Sequence, residues 1–342
     1  MIYFLIIVVL VLSAAVGFYL KPYKRKAEAR QCSYGNAEVY KVLTQGDGFS
    51  GLRDLMSRSK SFEDRYFVSV SISRLFPMKA LEDWVDAEPQ SADALLCYGA
   101  RLLEWAWEAR GDGRGHEVSR SRWETFFERL DKTRVILTRC AEVYPEDPTP
   151  WAYLIKVSTW YSDEMEVREH YFEKAIARDK NNWAAHMYMI LALSKKWGGD
   201  NVKMVEFAES VVEDAEEGSE LPVILFKAYY EYWRYFELFE EQPEEAEKFI
   251  HSEYILSHAV MAYEKSLGSE RHKDSSCSVL ARHHAAYWFW LVENKEILRK
   301  ELMTLGDNIE EVHWYWNGYG GDLDEAKAFA LGEAPSLSKS DF

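Results

Sequence analysis

"NNWAAHMYMILALSKKWGGDNVKMVEFAESVVEDA", residues 181–215, joins two segments of helical period through a four-residue interruption, Trp197-Gly198-Gly199-Asp200. A glycine just past a helix end takes the left-handed conformation that satisfies the last carbonyls, and a second glycine lets the chain turn sharply. Asp200 then suits the N-cap of the following helix, where its carboxylate accepts backbone N–H groups. Met204, Phe207, Ala208 and Val211 fall on one face of that helix. The unit predicted is helix, corner, helix. A second copy of the corner, Tyr319-Gly320-Gly321-Asp322, precedes Phe329-Ala330 at the spacing that separates Asp200 from Phe207-Ala208. Recurrence favours a structural corner over a ligand site.

Working outward, the same pairing recurs. "TPWAYLIKVSTWYS" has Pro148 and Pro150 at its start, and "EVREHYFEKAIARD" follows it closely. Beyond residue 215 come "ELPVILFKAYYEYWRYFELFEE", "PEEAEKFIHSEYILSHAVMAYEKSL" and "SVLARHHAAYWFWLVENKEILRKELMTLG", each read as helical, and then the 309–332 region. No stretch alternates β-branched and polar residues with a period of two, so no sheet is expected. The segments "YFEKAIARD" and "VEFAESVVED" begin 34 residues apart, and Trp151 and Trp183 open successive first helices 32 apart. These intervals match a tetratricopeptide array, in which Phe172 and Ala175 fit the second helix. Later units are longer and the Gly-Tyr pair of the first helix is missing. The expected fold is therefore all-α, a tetratricopeptide-like helical-repeat array forming an α-α superhelix.

The first twenty residues, "MIYFLIIVVLVLSAAVGFYL", carry no charged side chain. That is about the ~20 residues a helix needs to cross a hydrocarbon core. Lys21, Lys24, Arg25, Lys26 and Arg30 all lie on the C-terminal flank, the reverse of a secretory signal peptide. The expectation is a single-pass anchor over 1–20, a basic juxtamembrane segment and linker over 21–50 in contact with anionic headgroups, and a helical-repeat domain over 51–342. The charge bias puts that domain in the cytoplasm, with a periplasmic domain as the alternative.

With 57 acidic against 41 basic residues the net charge is −16, which disfavours nucleic acid and suits a basic protein partner. Cys32, Cys97, Cys140 and Cys277 are far apart with no C-x-x-C pair, so buried free thiols are expected rather than a zinc site or disulfides.

Several segments together resemble an uncharacterised bacterial family of helical-repeat proteins of unknown function. They are "EDWVDAEPQSADALL" (Trp84, Pro89, Ser91), "EWAWEARG" (Ala106, Trp107, Arg110, Gly111), "WETFFERL", "AEVYPEDPTPWAYL" and "KKWGGD", over residues 50–215. The resemblance implies a tetratricopeptide-like fold and no established reaction, and, the family being bacterial, the expected anchor lies in a bacterial inner membrane. Because such families occur in variable gene neighbourhoods, some beside toxin genes, it also implies an immunity protein as one version of the function.

Candidate binding residues fall in three places. In "WAWEARGDGRGHEV", Trp107 and Arg110 are three apart beside a glycine-rich turn. They either engage a partner or close the helix end while the tryptophan packs inside. In "LPVILFKAYYEYWRYFELF" the apolar side chains cover about 200° of a helix, so Tyr229, Tyr232, Trp233 and Tyr235 serve either a double-sided core or a groove. Trp314 and Trp316 in "HWYWNGYGG" raise the same choice. There is no P-loop, dinucleotide fingerprint, H-E-x-x-H or G-x-S-x-G, and no cofactor or metal is expected. The reading is a membrane-anchored, non-enzymatic protein-interaction module, an adaptor or scaffold. The alternative is an enzyme of unknown reaction with a polar site near Arg110, Arg114 and His116 or near Glu166 and His170.

Overall fold

The computed structural model describes residues 36–45, 48–111, 115–309 and 323–332. Among these residues every regular element is helical: sixteen α-helices and four 3-10 turns, with no strand. The chain opens with α1 (Asn36–Gln45), α2 (Gly48–Ser57), α3 (Phe62–Leu75) and α4 (Met78–Ala87), followed by the long pair α5 (Ala92–Arg110) and α6 (Arg120–Val143). The middle holds α7 (Thr149–Tyr161), α8 (Met165–Ile176), α9 (Trp183–Leu193) and α10 (Asn201–Asp214). Next come α11 (Ile224–Leu238), α12 (Pro243–Ile250) and α13 (Glu253–Lys265), and finally α14 (Ser278–Leu291), α15 (Lys295–Leu305) and α16 (Leu323–Leu331). None of the described helices is long and apolar enough to cross a membrane. The anchor read at 1–20, the bases Lys21 to Arg30, Cys32, Arg114, Trp314, Trp316 and the second corner Tyr319 to Asp322 lie outside the described residues.

Polar caps set where many of these helices begin. Ser61, Ser91, Asn182, Ser252 and Asn294 each accept a backbone N–H three residues on, at α3, α5, α9, α13 and α15. Each such cap is worth ~1 kcal/mol. Ser252 also corrects one reading of the sequence. "PEEAEKFIHSEYILSHAVMAYEKSL" is two helices, because His251 ends α12 and the Ser252 hydroxyl starts α13. His251 therefore sits in the turn after α12 while His258 is on α13. A second difference lies at the amino end, where α1 and α2 occupy much of the stretch read as linker, and Val39 is fully buried.

The helices pack in sequence order. α8 sits against both α7 and α9, α10 against both α9 and α11, and α7 and α9 also pack on each other. α11 goes on to contact α12, α13 and α14. The closest pair is α5 with α6, and Gly99 lies at their contact. A Cβ at Gly99 would lie 2.6 Å from Leu137 Cδ2, so a larger residue here would make the Leu137 side chain shift.

Buried ion pairs tie the ends of helices that are distant in sequence. Arg65 of α3 donates Nε to Asp147 Oδ2 at 2.6 Å just before α7, and also pairs with Asp93 of α5. Asp147 is fully buried and accepts the Thr149 N–H at 2.8 Å, capping α7. Burial alone would lower the Arg65 pKa, but the two aspartates raise it above the usual arginine value. Near the carboxyl end, Glu301 of α15 accepts from Arg282 of α14 at 2.9 Å and from the Tyr263 hydroxyl of α13 at 2.6 Å. Cys97, Cys140 and Cys277 are buried free thiols, each pushed up by burial, which makes them poor nucleophiles.

Candidate partner-binding surface

The glycine corner that opened the sequence reading is built as structure. A 3-10 turn, Lys195–Trp197, ends at Gly198 with φ +85°, and the Gly198 N–H donates to Lys195 O. A Cβ at Gly199 would come within 2.1 Å of Leu193 O, so that position also admits only glycine. Asp200 Oδ1 accepts from Val202 N at 2.8 Å and Lys203 N at 3.1 Å. Arg168 of α8 reaches across, donating Nη1 to Ala192 O at 2.9 Å and Trp197 O at 2.8 Å. The corner's backbone and the Asp200 carboxylate are thus engaged within the fold, while the buried Trp197 Nε1 and Asn201 Nδ2 have no hydrogen-bond partner. On α10, Met204, Ala208 and Val211 are buried, and Phe207 meets Phe172 edge-on at 5.5 Å.

Trp107 and Arg110 are likewise absorbed by packing. Trp107 stacks on Trp160 of α7 at 4.6 Å and meets Phe126 of α6 at 5.9 Å. The Arg110 guanidinium lies over Trp107 at 4.8 Å and Trp123 at 5.1 Å, and its Nη1 donates to Gly111 O at 2.9 Å. This is the helix-closing reading of "WAWEARG". Glu166 and His170 lie exposed on α8, and His116 is exposed in a short 3-10 turn, Gly115–Glu117. The geometry assembles these residues into no enclosed polar site with Arg110.

α11 is where the structure leaves aromatic surface open, and it divides the helix in two. Ile224, Leu225, Phe226, Tyr229 and Tyr230 are buried because α9, α10, α13 and α14 surround this half. Tyr229 is fully buried and its hydroxyl donates to Glu209 Oε1 at 3.2 Å, so it belongs to the core. Tyr230 packs edge-on against Tyr287 of α14 at 5.6 Å. Beyond Glu231 the neighbours run out. Tyr232, Trp233, Tyr235 and Phe236 are half-buried, while Leu238 and Phe239 are 41% and 58% exposed. Their spacing of four residues forms two ladders, Tyr232 stacked on Phe236 at 4.9 Å and Tyr235 on Phe239 at 5.3 Å. Phe249 of α12 closes one side of the first ladder, 4.8 Å from Tyr232. On the second ladder Lys195 lies over the Tyr235 ring at 4.9 Å, and Glu240 hydrogen-bonds with Tyr235.

The rim of this surface is acidic. Glu237, Glu240, Glu241, Glu244, Glu245 and Glu247 are all exposed on the last turn of α11, the loop after it and α12. Two nearby lysines are already engaged, Lys195 with Glu240 at 3.2 Å and Lys248 with Glu245 at 2.7 Å. The Lys195 ammonium is raised chiefly by its hydrogen bond to Glu240. At its base, Glu231 is buried between Lys196 at 2.5 Å and Lys227 at 2.9 Å. Burial pushes the Glu231 carboxyl up, but the two ammonium groups outweigh it and hold it far below the usual carboxylate range. This anchored triad fixes where the buried half ends and the open half begins. Known proteins offer no guide to this surface: no protein-family model and no curated protein matches the chain.

A polar cluster on the inner helices escaped the sequence reading. The Tyr66 and Tyr188 hydroxyls share a hydrogen bond at 2.7 Å, the Tyr153 hydroxyl meets Ser69 Oγ at 3.0 Å, and the Lys156 ammonium lies over the Trp160 ring at 4.7 Å and the Tyr188 ring at 5.1 Å. Burial lowers the Lys156 pKa. Its one visible trace in the sequence is a lysine in the middle of the apolar run "WAYLIKVSTWY".

Proposed function

We propose that this chain is a non-enzymatic protein-binding module, a tetratricopeptide-like array held at a membrane by residues 1–20, whose partner docks on the open half of α11. The observation that carries the reading is the pair of aromatic ladders, Tyr232–Phe236 and Tyr235–Phe239, with exposed Leu238 and Phe239 beside a run of exposed glutamates. Apolar anchors inside a charged rim are the composition of a binding hot spot, and the sign of the rim favours a basic partner. The packing of α8 against α7 and α9, and of α10 against α9 and α11, supports the repeat reading. The basic flank after residue 20 supports a cytoplasmic domain at a bacterial inner membrane. The adaptor reading narrows to an immunity protein if the basic partner is a toxin, as the resemblance implies.

The test is co-purification of the full chain from membranes in mild detergent, with the wild type compared to a Tyr235→Ala, Phe239→Ala double variant. A basic protein recovered in stoichiometric amount with the wild type and reduced at least tenfold with the variant supports the proposal. Equal recovery with both, while circular dichroism shows both folded, removes α11 as the docking surface.

A further inference from the structure

The start of α3 and the residues just before α14 meet at one partly buried cluster of acids, of which Glu220 is the most enclosed. Glu63 lies in the first turn of α3, and its Oε1 is 4.0 Å from the thiol of Cys277, the residue that precedes α14. These two residues are 214 positions apart. Beside them, Glu220 takes the Ser275 hydroxyl at 3.1 Å and also the Ser278 hydroxyl. The Glu63 carboxyl also accepts the Trp183 backbone N–H at the start of α9. Around this point Phe67 of α3 packs on Trp183 at 6.0 Å, and Trp183 on His284 of α14 at 6.3 Å. Segments from four places in the chain therefore converge on the Glu63 carboxyl.

The charges facing Glu63 are nearly all of its own sign. Asp64 is beside it on α3, Asp179 precedes α9 and Glu220 precedes α11. His272 Nε2 stands 3.9 Å from Glu220 Oε1 and 3.3 Å from Asp274 Oδ1, and Asp274 is further tied to Arg282 at 3.1 Å. Burial first, then Glu220, Asp179 and Asp64, push the Glu63 carboxyl up to about 7. Ionising it places a charge in a low-dielectric contact against a neighbouring carboxylate.

We propose that Glu63 is a proton-operated clasp that fastens α3 to the start of α14. Protonated, the carboxyl sits neutral against Cys277 and Glu220, and the start of α3 stays seated on the residues before α14. Ionised, it is repelled by Glu220 and Asp179, and the α3–α14 contact opens while the sequence-neighbour packing of each helix persists. Moving the carboxyl from its ordinary 4.5 to about 7 bounds the effect at roughly 300-fold in the closing equilibrium between pH below 4.5 and pH well above 7, of which about tenfold falls between pH 6 and 8.5.

Cys277, fully buried in the closed state, reports the opening. The full chain in detergent is exposed to a maleimide at pH 6 and pH 8.5, and the label on Cys277 is quantified by peptide mass spectrometry. Rates are normalised to the urea-unfolded chain at each pH, which cancels the thiol's own ionisation. In the wild type the normalised rate rises severalfold, up to about tenfold, from pH 6 to 8.5. In Glu63→Gln, which keeps a neutral hydrogen-bonding group in place, it stays flat. Glu220→Gln serves as the second variant: with less repulsion, the rise shrinks and its midpoint moves to lower pH. A flat wild-type profile, or a Glu63→Gln profile that rises like the wild type, overturns the proposal.

Discussion

Gly199 shows how much one residue position can carry. Its backbone passes so close to Leu193 O that a methyl group would overlap the carbonyl at 2.1 Å, and backbone cannot move aside as a flexible side chain would. Gly199→Ala is therefore expected to destabilise the protein by about 2 kcal/mol or more, whereas Gly198→Ala, at φ +85° with open space around it, costs about 1 kcal/mol. Paired urea denaturation curves measure the ordering, and an equal cost for both would deny the close approach at Gly199. This corner was legible in the sequence because its chemistry is local: two glycines and a capping aspartate act within a few residues of one another. Arg168 was not legible. It staples the same corner from α8, and nothing in "MEVREHYF" distinguishes a buried arginine donating to three carbonyls from a surface one.

At the scale of the element, α11 divides what a sequence can say from what it cannot. The wide apolar arc was visible as periodicity, and it correctly marked a helix with more than one packing partner. Where the partners stop depends on other helices, on α12 being only eight residues long and on the buried Glu231 triad. Tyr229 and Tyr235 thus look alike in sequence, yet one is in the core and the other on the rim. The division predicts opposite consequences for similar truncations. Tyr229→Ala leaves a cavity in the core and removes one of the hydrogen bonds to Glu209, which keeps the Tyr254 hydroxyl, and should cost about 3–5 kcal/mol. Phe239→Ala removes a side chain that is mostly in solvent, and should change stability by less than about 1 kcal/mol while weakening partner capture. Thermal melts on the two variants separate these outcomes. Comparable destabilisation by both would mean that the distal half of α11 is structural.

At the scale of the whole molecule, the all-helical class followed from sequence while the meeting of α3 with the residues before α14 did not, because Glu63, Glu220 and Cys277 reveal nothing until the fold brings them together. Their meeting sets how stability depends on pH. Glu63 has its folded pKa raised from 4.5 to about 7, so its contribution is fully present below about 4.5 and is lost as pH rises through 7. The full loss amounts to up to about 3 kcal/mol above that range, from the 1.36 kcal/mol per pKa unit of linkage. Glu231 works in the other direction. Held low by Lys196 and Lys227, it contributes stability above the ordinary carboxylate range and loses it as pH falls toward its folded value. The Glu63→Gln variant isolates the first effect, since glutamine does not titrate. Its stability should match the wild type near pH 4.5 and exceed it progressively as pH approaches 8, with most of the gap opening between pH 5 and 7. Urea denaturation at half-unit pH steps gives that difference curve directly. A constant offset between the two proteins would mean that Glu63 is already ionised across the range, its charge matched by a group other than the neighbours described here.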